Sequence, residues 1–195
     1  MSFTLGDLLA VARRFYPAGV ECCTDAYDAA EETLRRFEHV DRVGPEMAGP
    51  WNALKSSAKV AWPEYQRWDA TYLRLDPCFK LRLLTTKHPD PERLVPDFYG
   101  ITVVLSVSAL APVHAIYTVF ERRRGGRNPP PVIVEGACPE TVAEVAWLDE
   151  QARRHMRSVR LTNPLLEEIV PDVVNDTRRA GEATVVDCLF GVEKS

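Results

Sequence analysis

Three features of the sequence predict an α+β domain with a helical N-terminal third, an antiparallel sheet and one or two late helices packed on it. Apolar residues recur at helical spacing as far as Trp62, the period changes to two after Pro77, and a helical pattern returns at Pro139. Thr4 with Asp7 three residues on makes a capping box, and Leu5, Leu8, Leu9, Ala12 and Phe15-Tyr16 follow at i, i+3, i+4 until Pro17 stops the helix. A second helix starts at the Thr24 cap, with Tyr27, Ala30, Leu34, Phe37 and Val40 as its apolar stripe. Glu31 to Arg35 and Glu32 to Arg36 are favourable i, i+4 pairs on its other face. Gly44-Pro45 and Gly49-Pro50 punctuate its exit, so Trp51, Leu54, Ala58 and Ala61-Trp62 read as a separate third helix ending at Pro63. Residues 64–76 fit either period; the steps Trp62, Tyr65, Trp68, Tyr72 favour a helix that breaks at Asp76-Pro77.

Beyond that point Phe79, Leu81 and Leu83 alternate as a half-buried strand, and Pro89, Pro91 and Pro96 mark a connection. Tyr99 to Val107 and Val113 to Phe120 are two alternating runs separated by a short break, an antiparallel hairpin. The charged segment Arg122 to Arg127 ends the second run, and Val132-Ile133-Val134 follows three prolines as a further strand. Pro139 at a first helical position opens a helix with Val142, Val145, Ala146, Ala152 and Met156 on one side, and its last turn is basic, which complements the helix dipole. Asn163-Pro164 starts a short helix over Leu165 to Val170, and Thr184 to Phe190 reads as a β-rich apolar run. With no internal repeat and no long polar linker, the 195 residues read as one domain.

Composition narrows the function classes. At 46% apolar and 27% charged residues the chain carries enough apolar material for a core and is no disordered tail. A net charge of −4 argues against a nucleic-acid wrapper, although 19 of the 24 basic residues are arginine. No apolar window reaches membrane-spanning length, and Asp7 with Arg13-Arg14 interrupts any signal-peptide pattern. Cys22, Cys23, Cys78, Cys138 and Cys188 are odd in number and scattered, as in a reducing cytoplasm, and read as small buried thiols. Adjacent Cys22-Cys23 serves metal chelation poorly, no C-x-x-C or H-E-x-x-H occurs, and no two histidines lie closer than the 26 residues between His88 and His114. No metal or cofactor is therefore expected.

Phosphate-loop, dinucleotide and G-x-S-x-G patterns are missing as well. One enzymatic arrangement stays open: Cys138, just ahead of a helix N-terminus, with His114 or His155 as its base. The Arg122–Arg127 segment reads as a solvated hairpin tip. Two surfaces are candidate anchors for a protein partner: the acidic face at Asp28, Glu31 and Glu32, and the aromatic set Trp62, Tyr65 and Trp68, although aromatics at helical spacing are more often core.

The strand pair Tyr99–Val107 and Val113–Phe120, the helix from Pro139 and the terminal Thr184-Val185-Val186-Asp187-Cys188-Leu189-Phe190 together resemble immunity proteins of bacterial toxin–immunity systems. The resemblance spans about half of the chain, contains no diagnostic motif and transfers no individual functional residue. It implies a cytoplasmic inhibitor that binds a cognate toxin and occludes its active site without turnover; hydropathy and net charge add the expectation of no membrane and no nucleic-acid partner. A divergent Cys/His enzyme and an assembly subunit are the rival expectations.

Overall fold

A computed structural model of the chain describes residues 2–87, 98–122, 132–135 and 138–191. Helix α1 (Leu5–Phe15) carries the expected capping box: Asp7 N–H donates to Thr4 Oγ1, and Thr4 N–H donates back to the Asp7 carboxylate at 2.9 Å. The Thr24 cap forms as well but opens only a four-residue helix, α2 (Asp25–Asp28). The chain re-enters helix at α3 (Glu31–Ala61), and this break rotates the expected stripe. Thr33, Arg36 and Val40 face inward, whereas Leu34 is half exposed. Glu31 pairs with Arg35 as expected, but Arg36 turns inward to Asp176 in place of Glu32.

The two Gly-Pro dipeptides do not end α3. Proline disfavours the helical region for its predecessor through clashes of its Cδ with that residue's N–H and Cβ, and glycine removes the Cβ part. Both prolines are exposed inside one continuous 31-residue helix, which merges the expected second and third helices. Gly44 has a second role: a Cβ there would come within 3.0 Å of Leu73 Cδ1, so the loop after the first strand approaches the helix at a residue without a side chain.

Residues 64–76 form no helix. Instead β1 (Gln66–Asp69) lies antiparallel to β2 (Cys78–Leu84), with Trp68 opposite Arg82, because pairing along the sheet edge prevails over an ambiguous local pattern. Strands β3 (Phe98–Ser108), β4 (Val113–Arg122) and β5 (Val132–Glu135) extend an antiparallel meander in the order β1-β2-β3-β4-β5. Strand β6 (Val159–Arg160) joins the β5 side of β4 in parallel, beside Val113 and His114. Pro89, Pro91, Pro96 and the tip beyond Arg122 lie outside the described residues.

Register places Phe79, Leu81, Leu83, Val103, Leu105, Val107, His114, Ile116 and Thr118 on one face of the sheet. Helix α3 packs there through Trp51 against Phe79, with ring centroids 5.5 Å apart. A 3₁₀ turn (Pro139–Thr141) leads into α4 (Val142–Met156) on the same face. Its buried side is Val145, Ala152 and Met156 as expected, joined by Leu148, Glu144 and Gln151, while Val142 and Ala146 point outward. The helix at Asn163 ends early as α5 (Asn163–Leu166), and Val170 N–H then donates to the Ala183 carbonyl at 2.8 Å.

The terminal run is helix, not strand. Thr184 and Asp187 form a second capping box that opens α6 (Val185–Phe190). This helix reaches the opposite side of the sheet, where Cys78 Sγ donates to the Phe190 carbonyl at 3.1 Å, and it is tied to α1 by Tyr16 Oη donating to the Cys188 carbonyl at 2.7 Å. One buried apolar cluster draws on α1, α3, α4, α6 and β2 to β4. Coverage on both faces explains why β3 is apolar or small at nearly every position.

Candidate functional site

The acidic corner is built by two successive helix starts. Ala30 caps α3 without a side-chain hydrogen bond, so Glu31 and Glu32 complement the positive end of a long helix dipole. Asp28 and Glu31 are exposed and Glu32 is half-buried. Across residues 21–38 six acidic side chains face two basic ones, a local charge of −4 that equals the charge of the whole chain. One of those two, Arg36, is turned away from this surface and is only 3% exposed. It donates from both terminal nitrogens to Asp176, at 3.0 and 3.2 Å, over the rings of Tyr16 and Phe37.

The aromatic candidates lie at the other end of α3. Thirty-one helical residues span roughly 45 Å, so the acidic and aromatic sets do not share one face. Tyr65 is a core residue, 3% exposed, correcting its assignment as a surface anchor. Its hydroxyl donates to Glu144 Oε1 at 2.8 Å, and burial together with that carboxylate holds the phenol above its ordinary pKa. Glu144 is itself fully buried and also accepts from Lys87 Nζ at 2.6 Å. Trp62 is half-buried, stacked on Tyr65 and edge-on to Trp147. Trp68, on the edge strand β1, is 46% exposed, and of the three it alone presents a large free surface.

The proposed thiol–imidazole pair is not assembled. Cys138 is buried and its Sγ lies 3.2 Å from Thr141 Oγ1. His155 sits near the far end of α4, roughly 20 Å along the helix. Both nitrogens of His114 are engaged elsewhere: Nδ1 with Ser158 Oγ and Nε2 with Asp149 Oδ1, each at 2.9 Å. This Ser–His–Asp chain has the hydrogen-bond order of a nucleophile, base and orienting carboxylate. With Ser158 2% exposed and His114 0%, it is closed to substrate and ties β4 to α4 and to the link between α4 and β6. Sequence order gave no signal for it, since the three residues come from separate elements.

Burial drives the His114 pKa down to about 4, against the opposing pull of Asp149. An unfolded histidine titrates near 6.5, so between these values the unfolded chain takes a proton that the native one refuses. Stability is therefore complete above pH 6.5, falls by about 3 kcal/mol as pH drops toward 4, and gains no further loss from this group below that. Urea unfolding at pH 7.0 and 4.5 checks this. His114→Gln should flatten the slope, leaving the smaller part contributed by His39, whose pKa burial also lowers. An unchanged slope in H114Q would assign the acid sensitivity to other groups.

Two grooves border these elements. A cavity of about 260 Å³, lined by Ala115, Tyr117, Ile133, Leu166, Val186 and Phe190, opens between β4, β5, α5 and α6. Lys55, Lys59 and Arg67 line a shallower groove between α3 and β1, where Lys55 pairs with Asp69 at 2.5 Å. Among the described residues no three His, Cys, Asp or Glu side chains converge on a metal position, and no helix is long and apolar enough to cross a membrane. The reading of the cysteines as buried holds at Cys78, Cys138 and Cys188 and fails at Cys22, half-buried, and Cys23, exposed. No family model, curated protein or solved structure matches the chain.

Proposed function

We propose that this chain is a non-catalytic cytoplasmic binding protein, an immunity protein that inhibits a cognate bacterial toxin by covering its active site. The observation that carries the reading is the concentration of negative charge on one corner: Asp28, Glu31 and Glu32 lie on α2 and the first turn of α3, and Arg36 beside them is withdrawn onto Asp176. Such a corner is complementary to a basic partner and accelerates its encounter by electrostatic steering. Inhibition then rests on steric occlusion by a preformed surface, and no side chain of the inhibitor reacts.

The test is co-expression with the product of a neighbouring toxin gene. The expected result is restored growth and co-elution of the two chains as one complex at micromolar concentration. Continued toxicity with both proteins present, and separate elution, would overturn the proposal. A second reading, an assembly subunit, is favoured by the exposed Trp68 on edge strand β1, because such edges pair readily with another strand. A concentration-dependent dimer of the chain alone, lost in Trp68→Lys, would support that reading instead.

A further inference from the structure

The side of the sheet that α6 reaches is covered unevenly. Val104, Tyr117 and Val119 form a small buried apolar cluster that stays separate from the main core. Beside it lies the cavity of about 260 Å³ between β4, β5, α5 and α6. Tyr117 and Phe190 are buried in its wall, Val186 is half-buried and Ile133 is exposed. That volume exceeds the roughly 150 Å³ that admits benzene and falls just short of the ~300 Å³ at which pockets for drug-sized ligands begin.

Arg178 is the only cation among the described lining residues. Its backbone is fixed by Asn175, whose Oδ1 accepts from the N–H groups of Thr177 and Arg178 at 3.0 and 2.7 Å. Asp187 also lines the cavity, but its Oδ2 is engaged in the cap of α6, accepting from Thr184 N–H and Oγ1 at 3.0 and 2.8 Å. Arg178 Nε stands 3.7 Å from that oxygen, an ion-pair contact too long for a hydrogen bond. Among the described residues no acceptor meets the terminal nitrogens of Arg178, so its guanidinium keeps a donor fork for a carboxylate.

We propose that this cavity binds a medium-chain fatty acid, with the alkyl chain against Tyr117, Leu166, Val186 and Phe190 and the carboxylate on Arg178. An apolar wall with one cation suits a ligand whose single polar group is an anion. A sugar or nucleotide would bury further polar groups without partners. Burial of the chain supplies the attraction, and the charge-assisted fork fixes the head. The site shares no element with the acidic corner, so binding here is independent of the proposed inhibition.

NMR titration of the isotope-labelled full chain with octanoate, and separately with octan-1-ol, tests the site. Saturable octanoate shifts are expected at the amides of Tyr117, Arg178 and Val186. Arg178→Gln should weaken octanoate about 10-fold and leave octan-1-ol unchanged, because only the head group has lost its partner. Val186→Trp, which occupies the cavity, should weaken both ligands, with its fold verified by circular dichroism. Shifts confined to other surfaces, no saturation at millimolar octanoate, or equal octanoate affinity in the parent and R178Q would overturn the proposal.

Discussion

Asp176→Ala is expected to lower the free energy of unfolding by about 3–5 kcal/mol, a large effect for a residue whose own side chain is 42% exposed. The reason lies with its partner. Arg36, on α3, is 3% exposed with its guanidinium over the Tyr16 and Phe37 rings, and Asp176 meets it through both terminal nitrogens. Removing the carboxylate leaves a buried cation with two aromatic faces and no anion, which costs far more than an exposed ion pair is worth. The double variant Arg36→Met/Asp176→Ala should be more stable than Asp176→Ala alone, because the methionine fills the space without a charge to desolvate. Urea unfolding at pH 7 measures both. A loss below about 1 kcal/mol in Asp176→Ala would mean that the pair behaves as a surface contact.

The elements that sequence made legible are those in which local and tertiary preferences agree. Thr4 and Asp7 open α1, Pro139 leads into α4, and the alternation in β2, β3 and β4 survives because each strand is paired on both sides. The failures have individual causes. Gly44-Pro45 and Gly49-Pro50 read as breaks, but the glycines relieve the Cβ part of the clash with the residue before each proline, and packing of the long helix on the sheet offsets the rest. Val185 and Val186 suggest a strand, yet Thr184 and Asp187 repeat the Thr-x-x-Asp signal of α1, which could have revealed α6. At β1 no local signal suffices, since its conformation depends on pairing with β2.

The candidate site divides in the same way. The acidic corner is visible as a run of charges, because surface residues near in sequence on one helix stay near in space. The aromatic set could not be sorted from spacing alone: Tyr65 is drawn inside by the Glu144 hydrogen bond, while Trp68 stays on an edge. Arg36 with Asp176, and His114 with Asp149 and Ser158, join residues 140, 35 and 44 positions apart, pairings that periodicity does not carry.

The proposed inhibition through surface charge makes a kinetic claim, and the association rate constant with a candidate toxin tests it most directly. For the variant Asp28→Asn/Glu31→Gln/Glu32→Gln, stopped-flow mixing at low salt should give a rate about 10-fold or more below the parent, with the two converging as ionic strength rises and the circular dichroism spectrum retained. Equal rates for the two proteins at every salt concentration would contradict the account.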